Sequence, residues 1–186
     1  MEGFFNVLMV GRYAGEKRQD VLIEACAKSR YADRIQVILA GKGPLENKYR
    51  RLAKKLHNPI VMEFYEPERL LEILHMADLY VHTSDAEIEA MSCMEAFACG
   101  LVPVIANSPR SATPQFALDS QSLFPAGDSD ALAQRIDWWI EHPRERVEME
   151  KRYAEHAKRY ALDLSIQQTE DMFRQAIEEQ KAGSAQ

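Results

Sequence analysis

Six apolar runs of strand length, at residues 4–10, 35–40, 59–64, 79–82, 102–106 and, more weakly, 122–124, constrain this chain more than any other feature. Stretches with helical periodicity separate them. Residues 17–29 carry Val21, Leu22, Ala25 and Cys26 on one face, and residues 44–56 repeat Leu45, Tyr49, Leu52 and Leu56 at three- and four-residue steps. Residues 67–76, 91–99 and 130–142 follow the same pattern. Regular alternation of β and α predicts a parallel sheet covered by helices on both faces, because each βαβ crossover lays a helix on the sheet. The fold expected is α/β, a Rossmann-like doubly wound sheet of about six strands. From 143 onward the chain reads as helical and densely charged, with a partial apolar stripe of Leu162, Leu164, Ile166, Met172, Phe173 and Ile177. That face is either solvated or a surface for a partner or membrane.

With 186 residues the chain suits one domain, a nucleotide-binding body at 4–142 with a helical extension at 143–181. A net charge of −6 disfavours nucleic acid, which needs a concentrated basic face. No run approaches the roughly 20 apolar residues of a membrane span, and the first residues lack a signal-peptide layout. Cys26, Cys93 and Cys99 show no CxxC spacing and all fall in helical patterns, so buried free thiols in a reducing cytosol are expected. An apolar run begins almost at once after Met1, as in a piece of something longer. The last residues, 181–186, are expected to fray.

Strand order 3-2-1-4-5-6 would put a topological switch between the first and fourth strands, with ligands bound outside their carboxyl ends. The loops there are 11–17, which is basic and contains glycine, and 82–89, which is acid-rich. Arg12 follows the first strand on the ligand side. Lys17 opens the next predicted helix, where the macrodipole disfavours a cation by about 0.3–1 kcal/mol. It is either a surface lysine offset by Glu16 and Asp20 or an anion ligand. Loop 11–17 does not match the Gly-x-Gly-x-x-Gly dinucleotide fingerprint, which argues against a dehydrogenase. The helix start near Ala90 offers free N–H groups for phosphate oxygens. Carboxylates nearby suit sugar hydroxyls. Glu87 is either a solvated loop acid or such a ligand. Glu95 sits among Met91, Met94, Phe97 and Ala98, where a buried helix would leave its carboxylate needing a partner. A diphosphate joined to hydroxylated groups at both ends describes a nucleotide-sugar. His82, at a strand end on the ligand side, is either satisfied structurally or touches the donor. The other histidines show no metal-ligand grouping.

These residues resemble the C-terminal, donor-binding half of GT-B-fold glycosyltransferases, specifically glycosyltransferase family 4. The resemblance rests on VLMVGR at 7–12, EK at 16–17, VLIEA at 21–25, ILAGKGPL at 38–45 and MADLYVHTS at 76–84. Glu87 and Glu95, eight positions apart, complete the set and lead into AFACGLVPVIA at 96–106. The resemblance implies that Arg12 and Lys17 bind the donor diphosphate and stabilise the leaving group. It assigns the transferred sugar to Glu87, helped by backbone amides at Ala90 and Met91, and the ribose to Glu95. Gly11, and Gly41 with Tyr65 beside the nucleobase, would border the donor. Arg12, Lys17 and Glu87 are thus the catalytic candidates. Transfer would proceed with retention, with no metal or other cofactor, from an NDP-sugar to a glycan or lipid acceptor. The acceptor-binding N-terminal domain would be missing from this chain, which alone would bind donor and catalyse little. The full enzyme would be cytoplasmic and able to work peripherally at the inner face of the membrane. Two positions depart from the family, Arg18 after the loop lysine and the glycine-free Ile88, Glu89 and Ala90, where glycine is usual. A non-catalytic module with the same fold is the alternative.

Overall fold

The computed structural model describes residues 3–183. Its main sheet is wholly parallel and contains β1 (Phe5–Val10), β2 (Ile35–Ala40), β3 (Val61–Glu63), β4 (Leu79–His82), β6 (Pro103–Asn107) and β8 (Leu123–Pro125), ordered β3-β2-β1-β4-β6-β8. This is the doubly wound order expected. β1 pairs along its whole length with β2, Phe5 opposite Ile35 through Val10 opposite Ala40, and meets β4 at Val7–Leu79 and Leu8–Tyr80. β2 and β4 are buried at every residue, as the continuous apolar runs require of strands covered on both faces.

Right-handed crossovers send α1 (Gln19–Lys28) and α2 (Glu46–Leu52) to one face, and α3 (Pro67–Met76) and α4 (Met91–Ala98) to the other. α5 (Ser129–Glu141) packs on α1, and α6 (Pro143–Ala157) packs on α4. α5 begins where the Asp128 carboxylate accepts from the amides of Asp130 and Ala131. It buries Leu132, Ile136 and Trp139. Its buried Asp137 receives the Ser29 hydroxyl and, at 3.1 Å, the Arg30 guanidinium, which ties the end of α1 to α5. Truncating a fully buried tryptophan such as Trp139 to alanine costs about 3–5 kcal/mol.

Several boundaries differ from the sequence expectation. Lys17 does not open α1. It ends a short 3-10 turn, Gly15–Lys17, and Arg18 in the left-handed region separates the two. The macrodipole argument for Lys17 therefore falls. Pro44 lies two residues ahead of α2 instead of at its start. A pair of two-residue strands, β5 (Ala86–Glu87) and β7 (Arg110–Ser111), forms a second parallel sheet that periodicity does not announce. The helical tail breaks at Ala161 before α7 (Leu162–Gly183), whose apolar stripe is exposed. The fraying expected over 181–186 lies, from residue 184, outside the described residues. Cys26 and Cys93 are buried free thiols pushed up by burial, whereas Cys99 is half-buried. Among the described residues no helix is long and apolar enough to cross a membrane.

Candidate functional site

The loops after β1 and β4 meet at the switch point and are stitched to each other through the backbone. Asp85 N–H donates to Glu16 O at 2.8 Å, and the Thr83 hydroxyl donates to Lys17 O at 2.7 Å. Arg18 reaches Asp85 at 3.1 Å and Asp20 at 3.3 Å. The small β5–β7 sheet fixes the second loop from its far side, with Ala112 N–H on Glu87 O at 3.0 Å and the Ser108 hydroxyl on Asp85 O at 2.6 Å. Glu87 thus sits on a short strand paired with β7 and anchored at its start through Asp85, which is stiffer than a free loop.

Its carboxylate is ion-paired to Lys17 through Oε2, and the same oxygen lies 3.6 Å from His82 Nε2. Contact with the His82 ring, then with the Lys17 ammonium, holds the Glu87 carboxyl at about 2 against the opposing effect of burial. Burial pushes the His82 imidazole below its ordinary value, against the opposing pull of Glu87. α4 begins directly after this loop, and its N-terminus has no side-chain cap. Its orphan N–H groups therefore remain available to an anion. Ala90, the residue before α4, takes φ 52° and ψ 51°, and Arg18 takes φ 54° and ψ 40°. These are the non-glycine residues with positive φ among the described ones. Each costs about 1–2 kcal/mol of backbone strain.

Two cavities abut here. One, of about 460 Å³, is lined by Gly11, Arg12, Gly41, Lys42, Phe64 and Tyr65, with other residues of the same loops. Gly41 is required by close approach, since a Cβ there would lie 2.1 Å from Gly11 O. Tyr13, 1% exposed, locks the wall from beneath, donating to Leu39 O at 2.7 Å. The second cavity, about 550 Å³, is lined by Lys17, Glu87, Ile88, Glu89, Ala90, Met91 and Ser92. The Lys17 stem joins them, passing 3.8 Å from where a Gly11 Cβ would be. Arg12 is exposed at the rim of the first, with no side-chain partner among the described residues. Two cations, an uncapped helix start and a carboxylate therefore line one crevice.

The structure brings together Gly11, Arg12, Gly41 and Tyr65 in one cavity and Lys17, Glu87, Ala90 and Met91 in its neighbour. Glu95 lines neither. The buried setting expected for it is corrected. α4 buries Cys93, Ala96 and Phe97, while Met91, Glu95 and Ala98 share the exposed face one helical turn apart. Its carboxylate borders an adjoining groove of about 590 Å³ against Phe116 and Tyr160, which shares Ile88, Glu89 and Met91 with the second cavity, and it needs no protein partner because water reaches it. Ser92 and Tyr80 have no side-chain role in the sequence reading, and Arg18 figures there only as a departure from the family pattern. Ser92 lines the second cavity, Tyr80 lies 3.0 Å from Ser92 Oγ, and Arg18 links the two loops. Ser92 alone had a visible signal, a hydroxyl in the first turn of a helix aimed at the crevice. Among the described residues no group of three or more His, Cys, Asp or Glu is arranged to hold a metal.

The family model for glycosyl transferases group 1 matches residues 2–160. The chain belongs to this family. It is 28% identical over 189 residues to D-inositol 3-phosphate glycosyltransferase 2 of Catenulispora acidiphila, covering 95% of this chain and 44% of that protein. The chain spans less than half the length of the curated relatives it matches. Among solved structures, it is 49% identical to the catalytic domain of cholesterol-alpha-glucosyltransferase from Helicobacter pylori, with a TM-score of 0.82 over 84% of this chain and 99% of that one. Anabaena HepE in complex with UDP-glucose shares the fold, at 22% identity and a TM-score of 0.79, covering 92% of this chain and 49% of that one. The group 1 glycosyltransferase fold is thus present in the described residues, with the switch-point crevice at its centre.

Proposed function

We propose that this chain is the nucleotide-sugar-binding half of a retaining glycosyltransferase, with UDP-glucose as donor and a sterol-type alcohol as acceptor. The observation that carries the reading is the Lys17–Glu87 pair set before the uncapped start of α4 at the switch point, with Arg12 free at the adjoining rim. The likeness to a cholesterol-alpha-glucosyltransferase domain supports a sterol within the glycan-or-lipid acceptor class and an α-linked product. An α-configured donor then requires retention.

In this mechanism the nucleobase occupies the cavity of Gly41 and Tyr65, and the diphosphate bridges Arg12, Lys17 and the amides at Ala90 and Met91. As the bond from the sugar's anomeric carbon to the phosphate oxygen lengthens, negative charge collects on the diphosphate. Preorganised cations and helix N–H groups meet that charge without reorganising, an effect worth several kcal/mol. Glu87 accepts from hydroxyls of the transferred sugar, and Glu95 from the ribose where the donor passes the exposed face of α4. The reading assigns no resident metal, since the chain's own cations neutralise the leaving group. The remaining length of its relatives would supply the acceptor-binding domain.

Calorimetry tests the reading. UDP and UDP-glucose should bind the chain, and Arg12→Ala should weaken both by roughly tenfold or more, as for a charge-assisted contact. The full-length enzyme should convert UDP-glucose and cholesterol to an α-glucoside, with product configuration read by NMR. Absence of UDP binding at millimolar ligand sinks the reading. Ala90 in the left-handed region favours a second reading, a non-catalytic module; turnover by the full-length enzyme overturns it.

A further inference from the structure

His82 closes β4 with a side chain that is 1% exposed, so it cannot touch a bound donor, yet it is not satisfied structurally. Its Nε2 is buried without a hydrogen-bond partner and faces Glu87 Oε2 at 3.6 Å. Its Nδ1 lies 3.3 Å from the Tyr80 hydroxyl, which in turn lies 3.0 Å from Ser92 Oγ. The Tyr80 hydroxyl has one proton and two neighbours, which leaves two arrangements for an uncharged His82 ring. If Tyr80 donates to Ser92, His82 must carry its proton on Nδ1. Nε2 then turns a bare lone pair toward a buried carboxylate, with nothing to satisfy it. If Ser92 donates to Tyr80 and Tyr80 to Nδ1, the proton sits on Nε2 and points at Glu87. Only the second arrangement leaves no buried polar atom of the chain Ser92–Tyr80–His82–Glu87 opposed.

We propose that His82, neutral and protonated on Nε2, is a positioning residue that holds Glu87 Oε2, so that this oxygen, shared with Lys17, is withdrawn from the donor and Oε1 is presented to the hydroxyls of the transferred sugar. The separation of 3.6 Å is slightly long for a hydrogen bond, as such contacts often are before ligand binds. Closing it requires only that Glu87 shift by a few tenths of an ångström as the sugar engages Oε1. Ser92, at the start of α4 and in the same cavity, anchors the other end of the relay, so the helix start and the sugar-facing acid are set by one network. The charged groups around the ring are Glu87 and Lys17. This inference rests on the proposed donor site for its consequence, though not for the tautomer itself.

The tautomer is measured directly on the chain by nitrogen NMR with isotope-labelled histidine. The Nε2–H form is expected at neutral pH, with a change in its signal in Glu87→Gln. Calorimetry then compares UDP with UDP-glucose. His82→Phe should lower the ratio of UDP-glucose to UDP affinity by roughly fivefold or more, since only the sugar contact is misaligned. His82→Gln, whose amide can donate from nearly the same place, should restore that ratio to within about twofold. A charged ring or an Nδ1–H form overturns the proposal, as does a parallel fall in both affinities with His82→Phe, which would show a structural role alone. Should His82→Phe not fold, the tautomer and the His82→Gln ratio decide. If UDP does not bind the wild-type chain, the donor-site reading falls, and the tautomer still decides whether His82 holds Glu87.

Discussion

The two sides of the crevice reach the same compactness by opposite means. On the Gly11–Gly41 side, backbone passes so close to backbone that no side chain fits. A Cβ at Gly41 would meet Gly11 O at 2.1 Å, and one at Gly43 would meet Tyr13 N at 2.7 Å and O at 2.6 Å. On the Glu87–Ala90 side, Ala90 adopts the left-handed conformation and the loop is held by ion pairs and a sheet of two-residue strands. Steric exclusion is absolute, whereas dihedral strain of about 1–2 kcal/mol can be offset by neighbouring contacts. The first side therefore tolerates no substitution at Gly41, while the second keeps its shape with alanine at a left-handed position.

The largest expected effect breaks that contrast at its rigid end. Gly41→Ala should destabilise the chain by about 3 kcal/mol or more and abolish UDP binding, because carbonyl and Cβ cannot both stay. Gly15→Ala is the control. A Cβ there meets nothing within 4 Å, and urea unfolding should be unchanged. Equal effects of the two would mean that the close approach is not structurally required.

Next comes the charged end. Lys17→Met removes the ammonium partner of Glu87 together with the proposed phosphate ligand, and should weaken UDP binding by roughly 10- to 100-fold, the range of a lost charge-assisted contact. The Glu87 carboxyl should then titrate higher than its present value of about 2, as read by carboxyl NMR.

A smaller effect concerns pH. His82 has a folded value below 6.5, so the unfolded chain takes up its proton first, and stability falls as pH drops from 6.5 toward the folded value. Glu87 has a folded value depressed from 4.5 to about 2, so its contribution is complete above 4.5 and is lost as pH falls through about 2. His82→Gln should flatten most of the upper limb and leave the lower one, which thermal melts across pH will show. Persistence of the full upper limb in His82→Gln would assign it elsewhere.

The smallest effect probes strain alone. Ala90→Gly relieves the left-handed cost but loses a buried methyl and gains unfolded-state entropy. The net should be a stabilisation of up to about 1 kcal/mol, or a melting increase of about 2–4 °C. A loss of stability would show that the Ala90 methyl, 5% exposed, matters more through packing than its backbone costs.

Much of this was legible in the chain itself. Continuous apolar runs specify strands buried on both faces, and the alternation with helices specifies a parallel, doubly wound sheet. With the common doubly wound strand order assumed, those elements are enough to locate the switch point and its two loops, and so to single out Arg12, Lys17 and Glu87. Local chemistry misled where capping was subtle. Lys17 looked like a helix start because nothing in the residue type of Arg18 announces a left-handed turn. Glu95 looked buried because Met91, Met94, Phe97 and Ala98 surround it in sequence, yet Met91 and Ala98 are exposed beside it, and only helix orientation decides which side faces water.

What the sequence by itself determined is a parallel sheet covered by helices, since this follows from periodicity; the strand order, taken there as the common doubly wound one, and with it the position of the crevice, is set by the strand pairing. Tertiary structure alone decided how the crevice is built. The pairing of Lys17 with Glu87 spans 70 residues, that of Arg18 with Asp85 spans 67, and β5 meets β7 across a whole helix and strand. His82 became a partner of Glu87 only when β4 and the following loop folded back on each other. Contacts of that kind depend on distances that no local pattern encodes.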